Sequence, residues 1–202
     1  MITLDSTDSE ILAEMRKIRE LYQLKRTLRY GSSRDHTVHS ESVAEHLFGM
    51  LTLAEYFYPL EDPTNTLNRA DIIQLTLYHD VGEIDTGDLL FHLKGADEME
   101  REQQAVRAIV QRLPESLRNI VAQRSAEFEE CSTREAQYVR AIDRIEPLFE
   151  LLDNDMLSYR RLGITAEIAI EKKRYATDNF PYMRRFLDAW MKHAIAEDIF
   201  AK

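Results

Sequence analysis

The sequence predicts an all-α protein that forms a single domain over residues 1–202. Apolar residues recur with the 3.6-residue period of a helix along most of the chain, and no run alternates between apolar and polar residues in the manner of a strand. Six glycines and five prolines leave little chain for turns, while a charged fraction of 31% is typical of long amphipathic helices. A chain of this length can bury roughly 70% of its unfolded surface, so one domain can be stable without disulfides.

The first two predicted helices are separated by a polar loop. A stripe of apolar residues predicts a first helix that starts after Ser9 and ends near Arg29. The stretch 31–40 combines Gly, Ser, Arg, Asp and His with a single Val, so we expect it to be irregular. Ser42 and Glu45 have the spacing of a capping box, which predicts that the second helix begins directly after Ser42.

The third predicted helix carries a His-Asp pair. Pro59 and Pro63 mark the break after the second helix, and a new apolar pattern predicts a helix from Arg69 to about Val81. The turn region that follows lies between Gly82 and Gly87 and is rich in acidic residues. This part of the chain therefore combines a helix end with a cluster of carboxylates.

The remaining chain predicts five more helices without a linker or repeat between them. The first of the five covers about 97–112, and the second opens at Pro114. The third runs through 136–152 and follows the capping-box pair Ser132 and Glu135. The last two cover about 165–176 and about 181–199.

Composition limits the partners and the compartment. A net charge of -10 disfavours long nucleic acids, because phosphate backbones are bound by clustered lysine and arginine. A small phosphorylated substrate is still compatible with this charge, since a divalent ion can reverse the local potential. The single Cys131, the lack of a basic and then apolar leader, and the lack of an apolar run of about 18 residues predict a cytoplasmic protein without membrane contact.

Four residues have the chemistry of one metal site. His79 and Asp80 are adjacent, His46 ends the run ESVAEH, and Asp143 lies within VRAIDRIE. Two imidazole nitrogens and two carboxylates suit one divalent ion, with Mn, Co, Fe, Ni, Zn and Mg all open as its identity. Taken singly, each residue is more commonly a half-buried histidine or a salt-bridged aspartate, so the hypothesis depends on their combination.

The segments around these residues resemble a known family. ESVAEH, HDVGEIDTGD and the late Asp143 are similar, in order and approximate spacing, to the three signature segments of the HD-domain phosphohydrolases. Within that group the chain looks most like the YfbR-like 5'-deoxynucleotidase family, over about Leu24 to Leu152. The resemblance implies an HD-domain helical bundle with the metal site between helices, a nucleoside 5'-monophosphate as substrate, and a homodimer.

The resemblance also implies roles for individual residues. The positions of the family's metal ligands are occupied by His46, His79, Asp80 and Asp143. Glu83 matches the acid that orients the attacking water, and Asp88 matches the acid near the sugar and the leaving oxygen. These two acids are the expected catalytic residues.

Three further residues are expected to bind the substrate. Arg29 lies where the family carries an arginine that grips the 5'-phosphate, a role that suits its planar fork of donors. Tyr30 replaces a tryptophan that the family often has beside the sugar, and Lys94 is a candidate second phosphate contact. His39 stands where arginine is usual, and the loop before His46 is longer than in similar members, so the substrate preference stays open.

Other functions remain possible from the sequence. A nucleoside triphosphate hydrolase or a cyclic phosphodiesterase is the nearest alternative enzyme, although few basic residues surround the motifs. A non-catalytic protein that binds a metal or a nucleotide is the alternative from another class. Dinuclear oxygen chemistry is disfavoured, because only His92 lies between Asp80 and Asp143 to supply a further ligand.

Overall fold

The computed structural model describes residues 8–18, 20–29, 41–89, 95–153 and 158–202, and these residues form helices and turns without a β-strand. This confirms the predicted all-α class. The α-helices are α1 Asp8–Ile18, α2 Val43–Glu61, α3 Arg69–Tyr78, α4 Glu83–Thr86, α5 Ala96–Arg112, α6 Glu115–Glu130, α7 Arg134–Asp153, α8 Ser158–Arg161, α9 Ala166–Arg174 and α10 Pro181–Ala196. Short 3-10 helices cover Leu21–Lys25 and Tyr175–Thr177.

The main core lies between α2, α3, α7 and α10. The helix α2 packs along α7 and α3, and α10 packs against both α2 and α7. Fully or almost fully buried side chains line this contact at helical spacing, which removes one face of each helix from water. They include Val43, Met50, Phe57, Tyr138, Ile142, Ile145 and Leu187.

A second, smaller core lies between α5 and α6. Ile109, Leu113 and Val121 are fully buried there, together with Val81 from the turn after α3. The partly buried Ile84 of α4 packs against both cores. The turn between α3 and α4 is therefore held from two sides, and this turn carries the His-Asp pair.

The second helix begins as predicted but extends further. Ser42 forms the predicted capping box with Glu45, in which each side chain accepts a backbone N–H of the other residue. The break that Pro59 and Pro63 predict begins only after Pro59, because α2 continues to Glu61 and Pro63 lies in the turn that follows. Pro59 is exposed and removes only one helical hydrogen bond, and the buried Tyr58 holds the segment in place by donating its hydroxyl to the Leu67 carbonyl at 2.6 Å.

The first helix is shorter than predicted. The α-helix ends at Ile18, and a 3-10 helix over Leu21–Lys25 takes the place of its continuation. An isolated antiparallel bridge joins Leu28 to Ser42, and the Arg29 N–H donates to the Glu41 carbonyl at 3.0 Å. This pairing extends the backbone, which is why the helical pattern does not reach Arg29.

The third helix also ends earlier than predicted. It stops at Tyr78, and the backbone tightens after His79 into a turn in which the Glu83 N–H donates to the Asp80 carbonyl at 3.0 Å. Gly87 follows α4 with a φ of 73°, a conformation that favours glycine. His79 and Asp80 thus lie at a helix end, where adjacent side chains can point to one place.

The second predicted capping box was misplaced by one residue. The hydroxyl of Thr133, and not that of Ser132, accepts the Ala136 N–H at 3.2 Å at the start of α7. The Glu135 carboxylate instead accepts the N–H of Asn68 at 2.9 Å, which ties α7 to the start of α3. The contact between helices therefore uses the carboxylate that the local pattern had assigned to the cap. Among the described residues, every helix is too short or too polar to cross a lipid bilayer.

Candidate metal centre

The structure brings the four predicted ligands together from three parts of the fold. His46 lies in the first turn of α2, His79 and Asp80 follow α3, and Asp143 lies in the middle of α7. The Oδ1 atom of Asp143 is 3.3 Å from His46 Nε2 and 3.9 Å from His79 Nε2. The Oδ1 atom of Asp80 is 3.1 Å from His79 Nε2. Ligand atoms of His46, His79 and Asp143 thus lie within 4.8 Å of one another between α2, α3 and α7, and Asp80 adjoins this group through His79.

Core packing fixes the two long helices that carry His46 and Asp143. His46 is fully buried, since it shares the inner face of α2 with the buried Val43 and Met50. Asp143 follows the buried Ile142 on α7, the helix that packs along α2. The polar residues therefore lie inside the main core and not on the outside of the bundle.

Two buried polar atoms in this cluster lack a hydrogen-bond partner within the described part of the chain. They are Nε2 of His79 and Oδ2 of Asp80. The other ring nitrogen of His79, Nδ1, donates to the Thr76 carbonyl at 2.9 Å, so Nε2 carries the lone pair in the neutral ring. A buried polar atom without a partner is costly, and a bound cation removes that cost. The mixed nitrogen and oxygen donors fit a divalent first-row metal ion.

Two buried acids beside His46 were not among the predicted site residues. The Oε2 atom of Glu146 lies 2.6 Å from His46 Nδ1, and Oε1 of Glu41 lies 4.0 Å from the same atom. The sequence holds a signal for Glu146, because it follows Asp143 by three residues and so shares its face of α7. Glu41 opens the ESVAEH run, but nothing in its local pattern distinguishes it from a surface acid.

Charges within the cluster shift its pKa values strongly. Burial and the nearby Arg29 lower the pKa of His46, but hydrogen bonds with Asp143 and Glu146 outweigh them and raise it to about 9. Burial raises the pKa of Asp143, but the Arg144 guanidinium and the hydrogen bond with His46 hold it well below its usual range. At neutral pH Asp143 is therefore ionised and His46 is protonated on both ring nitrogens, and a metal ion at Nε2 would displace one of these protons.

Arg29 connects this cluster to Asp88, one of the predicted catalytic acids. Its side chain is 8% exposed and lies near three carboxylates. The distances are 3.5 Å from Nε to Glu41 Oε1, 3.7 Å from Nη1 to Asp80 Oδ2, and 3.8 Å from Nε to Asp88 Oδ2. One guanidinium thus bridges the metal cluster and Asp88.

The predicted catalytic acids are both buried. Glu83 is the first residue of α4 and is 1% exposed, and Asp88 follows Gly87 and is 4% exposed. Tyr30 and Lys94, the other two predicted substrate contacts, lie outside the described residues, as do His39 and the loop 31–40.

A model of the HD domain family matches residues 21–184 of the chain. The chain belongs to the HD domain family. Among curated proteins it is 30% identical to the 5'-deoxynucleotidase HDDC2 of Mus musculus over 138 residues, which cover 67% of each chain. It is 29% identical to the 5'-deoxynucleotidase HDDC2 of Homo sapiens over 145 residues, or 71% of this chain and 69% of the human protein.

Solved structures show the same fold. A structure described as a predicted metal-dependent phosphohydrolase from Magnetospirillum magnetotacticum MS-1 superimposes with a TM-score of 0.81 at 23% identity, covering 96% of this chain and 100% of the other. An HD-domain phosphohydrolase from Listeria innocua gives a TM-score of 0.60 at 21% identity, covering 92% of this chain and 88% of the other. These superpositions confirm the predicted HD-domain fold. The family match and the curated relatives together confirm the prediction of a metal-dependent phosphohydrolase.

Proposed function

We propose that this protein hydrolyses nucleoside 5'-monophosphates, deoxynucleotides among them, to nucleoside and phosphate. In this proposal His46, His79, Asp80 and Asp143 hold one divalent metal ion. The observation that carries the proposal is the position of Arg29, which lies within 3.8 Å of both Asp80 on the metal cluster and Asp88. The relatives named as 5'-deoxynucleotidases support the same substrate class.

The chain's own residues supply binding and proton transfer in this proposal. When bound, the divalent ion would neutralise a phosphate oxygen and lower the pKa of a water molecule. Arg29 would hold the phosphate with its planar fork, replacing part of its contact with the nearby carboxylates. Glu83 would orient the attacking water and accept its proton, and Asp88 would hydrogen-bond or protonate the departing 5' oxygen. Both acids are buried, so they would act away from bulk water.

The other cations near the cluster favour a monophosphate over a triphosphate. Arg144 lies 3.6 Å from Asp143 Oδ2, and Lys173 donates to the backbone carbonyl of Arg144 at 2.7 Å. Both thus serve α7. A triphosphate would bring more negative charge to a site in which Arg29 and Arg144 already pair with protein carboxylates.

The test is phosphate release from a panel of deoxy- and ribonucleoside 5'-mono-, di- and triphosphates and cyclic nucleotides. The chelator-stripped protein would receive Mn²⁺, Co²⁺, Mg²⁺ or Zn²⁺. We expect release from monophosphates that depends on the added ion, with one ion clearly preferred. Turnover of triphosphates or cyclic nucleotides alone would support the alternative enzymes, and nucleotide binding without turnover by any ion would support a sensor.

The expected homodimer and cytoplasmic location also remain proposals. Large apolar side chains are exposed on the outer face of α2, where Phe48 is 74% and Tyr56 is 53% exposed, and such a face supports self-association. Light scattering of the protein as it elutes from a size-exclusion column would give its mass in solution. A mass of 23.6 kDa, that of one chain, would contradict the dimer.

A further inference from the structure

On the side that faces away from the metal cluster, the ring of His46 forms a hydrogen bond with Glu146. Nε2 points to Asp143, whereas Nδ1 points to Glu146, whose residue is 4% exposed. An ionised carboxylate only accepts hydrogen bonds, so the contact of 2.6 Å places a proton on Nδ1 of His46. When the ring is neutral, the lone pair is then on Nε2, which is the atom that faces the proposed ion.

This group is not a second metal site. Possible ligand atoms of Glu41, His46 and Glu146 lie within 4.8 Å of one another, which resembles the spacing around an ion. Two atoms bound to one tetrahedral ion at about 2.1 Å each would lie about 3.4 Å apart. The separation of 2.6 Å between His46 and Glu146 is a direct hydrogen bond and leaves no space for an ion.

Gly49 on α2 provides the space that Glu146 occupies. A Cβ atom at this position would lie 2.4 Å from Glu146 Oε1 and 3.2 Å from its Cδ atom. Glycine in the interior of a helix costs about 1 kcal/mol relative to alanine, and the backbone of Gly49 does not have a positive φ that would demand it. Position 49 follows His46 by three residues, so both face the same side chain of α7.

We propose that Glu146 and Gly49 together position His46 for metal binding, Glu146 by fixing the ring tautomer and orientation and Gly49 by admitting the Glu146 side chain beside α2. Both are positioning residues, since neither is proposed to touch the ion or the substrate. The inference rests on the proposed function in one respect, namely that an ion binds at the Nε2 side of His46.

The experiment measures ion binding in the absence of substrate. Co²⁺ is titrated into the chelator-stripped protein, and its visible absorption spectrum and its affinity against a competing chelator are recorded. Glu146→Ala is expected to weaken Co²⁺ binding roughly 10- to 100-fold and to alter the spectrum. Glu146→Gln is expected to recover part of the affinity, because the amide oxygen can accept the same N–H.

Gly49→Ala is expected to weaken Co²⁺ binding in the parent, because Glu146 must move. In the Glu146→Ala background the same substitution should cost nothing further, because the conflicting side chain is gone. Glu171→Ala, an exposed acid on α9, is the control and should bind as the parent does. Far-UV circular dichroism with chelator present confirms that each variant is folded.

Two results would overturn the inference. One is a folded Glu146→Ala protein with the parental Co²⁺ affinity and spectrum. The other is an equal loss from Gly49→Ala with and without Glu146, which would give Gly49 a separate role. A parent that binds Co²⁺ and responds to these variants but hydrolyses no monophosphate would remove the proposed function and leave the inference intact. A parent that binds no ion would contradict both.

Discussion

The two sides of the proposed site are built from different kinds of structure. The metal side, which comprises His46, Asp143 and Glu146, lies on α2 and α7, helices of 19 and 20 residues that pack along each other through the main core. The substrate side comprises Arg29, Glu83 and Asp88 and is built from short segments. Arg29 follows the isolated bridge at Leu28, Glu83 begins a four-residue helix, and Asp88 follows Gly87. His79 and Asp80 lie in the turn that joins the two sides.

This difference teaches where each property of the site can change. Ion binding requires donors held to within a fraction of an ångström, which long helices in a packed core provide. Short segments tolerate substitution and insertion more easily than long helices do. Tyr30 and His39, which differ from the residues usual in the family that the chain resembles, belong to the same part of the chain as Arg29. We therefore expect the metal side to determine whether the protein has hydrolytic activity. We expect the substrate side to determine the rate of hydrolysis and the preferred nucleotide.

The largest effect is expected on the metal side. Asp143→Asn should reduce both ion binding and phosphate release to background, because Asp143 contacts both histidines and the amide carries no charge to balance the ion. Equilibrium dialysis with Mn²⁺ and a phosphate assay would measure the two losses. Asp97→Asn, at the exposed start of α5, should behave as the parent. Retained turnover in a folded Asp143→Asn protein would contradict the assigned role.

On the substrate side, activity should separate from ion binding. Glu83→Gln is expected to lower kcat roughly 10²- to 10⁴-fold, since it removes the group proposed to accept the proton from water. Its ion content should equal that of the parent. Asp85→Asn on the same short helix is the matched control, because Asp85 is exposed and pairs with Arg112 outside the site. If Glu83→Gln lost its ion as well, the division between the two sides would fail.

A smaller effect is expected at Arg29. Arg29→Lys keeps the charge but loses the planar fork, so we expect KM for a nucleoside monophosphate to rise roughly tenfold, with a smaller change in kcat. Steady-state kinetics would separate the two constants. The exposed Arg26→Lys is the control. A change in kcat alone, with KM unaltered, would show that Arg29 does not hold the bound phosphate.

The smallest effect on activity is expected at Lys173, which should change how the stability of the protein depends on pH. Burial and the nearby Arg144 lower the pKa of Lys173 to about 7, whereas a lysine in the unfolded chain has a pKa of about 10.4. Between these values the unfolded chain binds more protons, so this lysine makes the folded state more stable as pH rises from about 7 to about 10.4.

Lys173→Met should remove this contribution while its apolar stem still fills the buried space. Urea unfolding in chelator at several pH values would compare the two proteins. We expect the stability of the parent relative to the variant to increase with pH by on the order of a few kcal/mol across that window. If the free energies of unfolding of the two proteins changed in parallel with pH, the pKa of Lys173 would not be lowered in the folded state.

The sequence predicted the helical class and the residues that meet between α2, α3 and α7, because helical periodicity and the HD-type segments are local signals. It misplaced the ends of the first three helices, since the bridge between Leu28 and Ser42, the exposed Pro59 and the tight turn after His79 depend on tertiary contacts. It missed Glu146 because the contact with His46 spans 100 residues of chain.

The most direct test is a crystal structure of Glu83→Gln grown with Co²⁺ and a deoxynucleoside 5'-monophosphate, with anomalous data at the cobalt edge. We expect one strong peak within about 2.2 Å of His46 Nε2, His79 Nε2 and one carboxylate oxygen each of Asp80 and Asp143. We also expect the phosphate between that ion and Arg29. A cobalt peak elsewhere, or a phosphate bound away from Arg29, would contradict it.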